Sequence, residues 1–186
     1  MAYRYFVILA FIVLGITLTI QILKLRWNGE RFLGKPTIEK FNFFTGKLTL
    51  FTSWGLFIFK ALSPDTGYIS VPGPLSWLAV ALLWAGTLIM SVSFFELGQS
   101  LKIGIPETPT RLKTTGIYHF SRNPLYLGVY LITFGSCIYF PDLINITFAF
   151  YGMYMHHRIV LGEELFLSSR FGPEWEDYKK RTRRYI

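Results

Sequence analysis

Residues 5–23, from Tyr5 to Leu23, run nineteen positions without a charged side chain. A helix of that length crosses about 30 Å of hydrocarbon, and inside a bilayer a lone segment satisfies its own amides only as a helix. A cleaved export signal carries its basic flank in front and small residues behind. Here Arg4 alone precedes the run while Lys24 and Arg26 follow it, so the segment reads as a retained span. Residues 75–95 form a second long run, opened by Pro72-Gly73-Pro74, which suits a helix start. Residues 48–59 are apolar between Lys47 and Lys60, and a span there needs both ammonium groups to reach toward the interfaces. The stretches 125–140 and 143–157 are split by Pro141-Asp142, a breaker pair that fits the turn of a helical hairpin. Sixteen residues make about 24 Å of helix, so the hairpin either thins the bilayer or continues into the interface.

These runs predict an all-α integral membrane protein of about five transmembrane helices, with the fourth and fifth as the hairpin and a cytoplasmic, helical tail behind them. Residues 1–97 hold the amino-terminal helices. Residues 98–186 hold a polar loop, the hairpin and the tail, as one folded unit with them. Charge placement gives the orientation, since Lys and Arg collect on the cytoplasmic side. With five spans, 17 of the 19 basic residues fall on one side and only Arg4 and Lys60 on the other. The amino terminus is then external and the carboxyl terminus cytoplasmic, in the plasma membrane if the source is prokaryotic.

A net charge of +8 in a chain that is 52% hydrophobic is explained by this topology and by anionic headgroups. No nucleic-acid reading motif accompanies it, and none is expected to be a partner. Cys137 is the single cysteine, which excludes a disulfide-stapled fold. His156 and His157 are adjacent, so they diverge by about 100° around a helix and do not chelate one ion together; no metal is expected. Neither a Rossmann fingerprint nor a phosphate loop occurs.

Chemistry-bearing residues gather at the cytoplasmic mouth of the hairpin, where topology joins the 98–124 loop, the start of the fourth span and the end of the fifth. Gly116 to Gly128 supplies Tyr118, His119, Arg122, Asn123 and Tyr126. The other limb supplies His156, His157, Arg158, Glu163 and Glu164. Glu96 is either an interfacial carboxylate or a lining residue of the same mouth. Singly, each has a bland reading: Arg122 as an interfacial anchor, Pro124 as a first-turn proline, Glu163 and Glu164 as a solvated helix start. Ionisable groups at membrane depth are nevertheless functional candidates.

Residues 98–182 resemble the membrane-embedded isoprenylcysteine carboxyl methyltransferases and their prokaryotic relatives. The resemblance rests on Thr114-Thr115-Gly116-Ile117-Tyr118, on Arg122-Asn123-Pro124-Leu125-Tyr126-Leu127-Gly128, and on Glu163-Glu164 followed by Phe171-Gly172, Trp175, Tyr178 and Arg181. Asn123 stands where the family has His, and an amide keeps a donor and an acceptor but does not titrate. The resemblance implies methyl transfer from S-adenosyl-L-methionine to a carboxylate of a lipidic or prenylated acceptor. It implies a cofactor site of Arg111, Leu112, Lys113, Tyr118, Asn123, Pro124, Leu125, Tyr126 and Glu163. There Glu163 pairs with the ammonium, Arg111 or Lys113 meets the carboxylate, and Tyr118 and Tyr126 pack on the adenine or sulfonium. Arg122 and Arg158 are the implied catalytic residues, and Arg158 and Glu164 the acceptor contacts. Three other readings stay open: a phospholipid N-methyltransferase, which needs a base for the amine proton, a nicotinamide-dependent reductase resembling the sterol reductases, and a non-catalytic membrane protein that binds through its tail.

Overall fold

In the computed structural model, the residues described are 2–29, 34–67, 69–101, 104–105 and 111–186, the side chain of Gln99 excepted. Arg31 and Lys102, two of the basic residues in the charge count, lie outside them. The described residues form six α-helices and two 3-10 turns and no strand: α1 (Tyr3–Trp27), α2 (Lys40–Leu62), α3 (Gly73–Leu97), α4 (Pro124–Tyr139), α5 (Leu143–Phe171) and α6 (Pro173–Arg181), with turns at Gly98–Ser100 and Gly116–His119.

The helix boundaries follow from local chemistry. α1 ends on Lys24 and Arg26, which complement the negative pole of the helix. α3 and α4 each begin with a proline in the first turn, where the missing N–H costs nothing. The Pro141-Asp142 turn is where the sequence puts it, and Asp142 Oδ1 caps α5 by accepting from Ile144 N at 2.9 Å. α5 then runs unbroken for 29 residues, so the second limb of the hairpin continues past its apolar part. It stops at Gly172, whose φ of +50° turns the chain into α6. The tail is thus not one helix: residues 158–171 belong to α5, α6 is short, and 182–186 are non-helical.

Two helices, α1 and α3, are long and apolar enough to cross a membrane. α4 has only 16 residues, and α2 and α5 carry ionisable side chains along their length, so none of these three meets that standard alone. All five nevertheless present bulky apolar side chains outward, among them Ile12, Phe51, Leu88, Phe134 and Phe150.

α4 packs between α3 and α5, with α2 against both limbs of the hairpin and α1 against α3. The α3–α4 contact is close because small residues face each other: a Cβ on Gly86 would lie 2.6 Å from the Gly128 carbonyl oxygen, and one on Gly128 would lie 2.6 Å from Met90 Cγ. Such small-residue seams let membrane helices approach backbone to backbone. Between α2, α4 and α5 a buried polar knot takes over. Asn145 Nδ2 donates to the Phe140 and Ser136 carbonyls at 2.8 and 3.1 Å, while Ser53 donates to Asn145 Oδ1 at 2.7 Å. It satisfies carbonyls at the end of α4 and ties α2 to the hairpin, at roughly 0.6–2 kcal/mol per interhelical bond.

Candidate active site

The carboxyl-terminal end of α3 carries Glu96. Its Oε1 accepts from Ile117 N at 3.1 Å and its Oε2 lies 3.6 Å from Lys113 Nζ. This carboxylate docks the 113–117 segment onto the bundle. Gly116 has a φ of +64°, and a Cβ there would lie 2.0–2.1 Å from the Glu96 oxygens, so a side chain is excluded on both counts. The turn that follows buries Tyr118, whose carbonyl accepts from the Tyr178 hydroxyl of α6.

Next along the chain, Ser121, Arg122 and Asn123 hold the tail. Arg122 N donates to the Arg183 carbonyl at 2.9 Å and Asn123 N to the Arg184 carbonyl at 3.1 Å. Arg122 and Arg184 converge on Glu164: Arg122 Nη2 donates to Oε1 at 3.1 Å, and Arg184 Nη2 to Oε2 at 2.8 Å. Asn123 Nδ2 adds a bond to Oε1 at 3.0 Å. Arg122 Nη1 reaches the Thr182 carbonyl, and its guanidinium lies over the Trp175 ring. Burial alone would raise the Glu164 carboxyl, but the hydrogen bonds and charges of the two arginines outweigh it and hold it below the ordinary value.

Between these two docked segments and α5 lies a cavity of about 150 Å³. Of the residues expected at the cofactor site, Arg111, Leu112, Lys113, Tyr118, Asn123, Leu125, Tyr126 and Glu163 line it. Pro124 does not: it is buried at the start of α4. Glu163 accepts from the Tyr126 hydroxyl at 2.9 Å. Its enclosed carboxyl is pushed up to about 7 by burial, and the Tyr126 bond and the Lys47 charge only partly offset this.

The implied catalytic and acceptor residues divide differently. Arg122 touches the cavity, but its guanidinium is committed to Glu164, the tail carbonyls and Trp175. Glu164 is not among the lining residues, and both of its oxygens are filled by Arg122, Asn123 and Arg184. Adjacent to Glu163, Glu164 points about 100° away around α5 and into the clamp, so the acceptor contact expected of it lies outside the cavity lining. Arg158 is exposed, reaches only Tyr154 Oη at 3.4 Å, and does not line the cavity. The sequence reading gave no role to Trp175, Tyr178 or Arg184. Trp175 and Tyr178 form a wall of the cavity, and the one signal for them is that two aromatics are buried in an otherwise charged helix. Among the described residues no group of three or more metal-ligating side chains comes together.

The sequence pattern of one family, phospholipid methyltransferase, matches residues 75–174. The chain belongs to the phospholipid methyltransferase family. No curated protein matches it. This family includes the isoprenylcysteine methyltransferases, so membership supports the reading of the chain as a membrane methyltransferase while leaving the acceptor open. The matched stretch of this methyltransferase begins in α3 and ends in the first turn of α6. It contains Glu96, Arg122, Glu163 and Glu164, whereas Trp175, Tyr178 and Arg184, which complete the wall and the clamp, lie beyond it.

Proposed function

We propose that this methyltransferase uses S-adenosylmethionine to methylate the amine headgroup of a membrane lipid at the cytoplasmic face. The observation that carries the reading is the composition of the cavity: among the described residues it is lined by one carboxylate, Glu163, by the cations Arg111, Lys113 and Arg122, and by the aromatics Tyr118, Tyr126, Trp175 and Tyr178. That donor set fits a ligand bearing an ammonium, a carboxylate and a sulfonium beside an aromatic base. Bound there, S-adenosylmethionine would supply an electrophilic methyl group. The cavity is smaller than the roughly 300–1,000 Å³ of ordinary small-molecule pockets, so admission of such a ligand requires its wall to move outward.

The chain's own contribution is alignment and exclusion of water. Glu163 fixes the ammonium end and Tyr126 holds the Glu163 carboxyl. Arg122 and Glu164 are positioning residues that keep α6 and the tail over the cavity. Arg158, facing outward at the membrane margin, is suited to a lipid phosphate. An amine acceptor is favoured because Arg122 and Arg184 near the cavity are paired with Glu164 and Lys113 with Glu96, which leaves Arg111 as the lining cation for the carboxylate of the methyl donor itself. A carboxylate acceptor of the isoprenylcysteine type is the second reading, supported by the Arg122–Gly128 and Glu163–Glu164 motifs. The five-span topology with a cytoplasmic tail belongs to both.

Calorimetric titration of the detergent-purified protein with S-adenosylhomocysteine, with a reduced nicotinamide dinucleotide in parallel, tests the reading. Saturable binding of the first, lost in Glu163→Gln, is expected; binding of the dinucleotide alone refutes methyl transfer. Methyl incorporation into phosphatidylethanolamine against farnesylcysteine in vesicles then decides the acceptor.

A further inference from the structure

Outside the cavity, a second polar cluster fills the seam between α4, α5 and the tail. Tyr130 and Tyr185 share a hydrogen bond between hydroxyls at 3.3 Å, and Tyr185 Oη lies 2.8 Å from His157 Nδ1. Nothing in the binding of S-adenosylmethionine uses these three groups. Tyr130 is four residues from Tyr126 on α4, about 6 Å further along the same face. His157 is six residues before Glu163 on α5, about 9 Å along the helix in the same direction. The two limbs are antiparallel, so the Tyr130–Tyr185–His157 cluster lies a step deeper toward the apolar parts of the hairpin than the Tyr126–Glu163 pair. None of the three lines the cavity, and a lipid headgroup that entered the cavity from the apolar side of the hairpin would pass this cluster first.

Tyr185 is delivered there by the clamp. The backbone bonds of Arg122 and Asn123 to residues 183 and 184, and the Arg184–Glu164 ion pair, fix the residue immediately before it. Its ring meets the Tyr130 ring edge-on at 5.4 Å and packs against the apolar cluster of Phe43, Tyr126, Ile159 and Val160. Either hydroxyl of the Tyr130–Tyr185 pair can donate, and His157 Nδ1 donates or accepts with its tautomer. With Nδ1 unprotonated, Tyr185 donates to it and Tyr130 to Tyr185, which leaves an acceptor site open on Tyr130 Oη.

We propose that Tyr130, Tyr185 and His157 form a proton relay that accepts the ammonium proton of the lipid amine before methyl transfer. The inference rests on the amine reading of the acceptor given above. An alkylammonium headgroup is protonated at neutral pH and has no lone pair to attack with. In the relay, its N–H proton passes to Tyr130 Oη, the Tyr130 proton to Tyr185 Oη, and the Tyr185 proton to His157 Nδ1. The freed nitrogen lone pair forms the new N–C bond to the methyl group as the C–S bond breaks, its electron pair remaining on sulfur. The products are an N-methylated ammonium and S-adenosylhomocysteine, and the imidazolium returns its proton to water. The charged groups acting on the relay tyrosines are Glu163 and Glu164 from α5 and Arg184 from the tail, with Lys47 of α2 behind Glu163.

The test compares two acceptors in vesicles with the full-length protein. One is phosphatidylethanolamine; the other is its aminooxy analogue, whose nitrogen is unprotonated at neutral pH. Tyr185→Phe and His157→Gln are expected to lower turnover of phosphatidylethanolamine by about 100-fold, the lower end of general-base contributions. They should leave turnover of the aminooxy lipid within a few-fold of wild type and S-adenosylhomocysteine affinity unchanged. In wild type at saturating S-adenosylmethionine, the phosphatidylethanolamine rate falls on acidification while the aminooxy rate does not follow it. Equal losses on both acceptors would mean that the cluster only holds the tail, and undiminished turnover of phosphatidylethanolamine would mean that the proton leaves elsewhere; either overturns the relay. A wild-type protein that methylates farnesylcysteine and neither amine overturns the amine reading, and the relay with it.

Discussion

Removing the Glu164 carboxylate should undock the tail, and the size of the effect follows from how unequally its two arginine partners are exposed. The Arg122 side chain is 7% exposed and that of Arg184 is 36% exposed. In Glu164→Ala, Arg122 is left as a buried charge without its counter-ion, a change that costs about 3–5 kcal/mol. Arg184 can turn to water, and its half of the clamp is worth only about 0–1 kcal/mol. Arg184→Ala should therefore be mild, Glu164→Ala severe, and the double replacement Arg122→Met with Glu164→Met closer to wild type than Glu164→Ala alone, because a removed pair leaves no orphaned charge. The assay is amide hydrogen exchange over residues 173–186 in lipid nanodiscs. With each 1.4 kcal/mol worth a factor of ten, protection of α6 amides should fall by roughly two to four powers of ten in Glu164→Ala and by at most about one in Arg184→Ala. Equal effects of the two single substitutions, or a double variant worse than Glu164→Ala, would refute the assignment of Glu164 to a buried clamp.

The two adjacent carboxylates should give opposite pH slopes in thermal unfolding. The lowered Glu164 contributes stability above the ordinary value of 4.5 that is lost as pH falls, whereas the raised Glu163 favours the folded state below 4.5 and loses that contribution as pH rises through about 7, so Glu164→Gln and Glu163→Gln should each remove one limb. Binding of S-adenosylhomocysteine, whose amino group needs an ionised partner, should weaken below about pH 7, as calorimetry on the wild-type protein across pH 5.5–8 (roughly one and a half units below and one above that value) would show; affinity that stays level across that range would remove Glu163 as the partner. Gly116→Ala should break the Glu96–Ile117 bond and reduce S-adenosylhomocysteine affinity at least about tenfold, since the positive φ alone costs roughly 1–2 kcal/mol; unchanged affinity would detach that turn from the cavity. Gly86→Val should overpack the α3–α4 seam and lower the unfolding temperature, with a cost of about 1–3 kcal/mol.

What the sequence disclosed was what local chemistry decides. The proline-led starts of α3 and α4 and the Pro141-Asp142 turn need no long-range information, and the structure has them at those residues. The gathering at the hairpin mouth was legible too, because topology alone brings the 111–126 segment to the end of α5. The division of labour within it was not. Glu163 and Glu164 are chemically identical neighbours, and only the direction of each on α5 decides that one meets the cavity and the other the clamp. Arg122 read as a catalytic candidate because its partners, Glu164 and the backbone at 182–184, are 42 or more positions away and leave no local trace. Tyr185 was invisible for the same reason. It lies among basic residues whose composition suggests a solvated tail, and its place beside His157 depends on the register that Arg122 and Asn123 impose.

The wall formed by Trp175 and Tyr178 also sets an order of events during synthesis. Every membrane-embedded helix precedes residue 172, and the segment that roofs the cavity leaves the ribosome after them. The hairpin can therefore settle against α3 while the end of α5 that carries Glu163 is still open to water. Only when Arg183 and Arg184 arrive does the chain meet the waiting amides of Arg122 and Asn123. A nascent chain stalled before that point would carry all five long helices and a cavity still lacking the Trp175–Tyr178 wall.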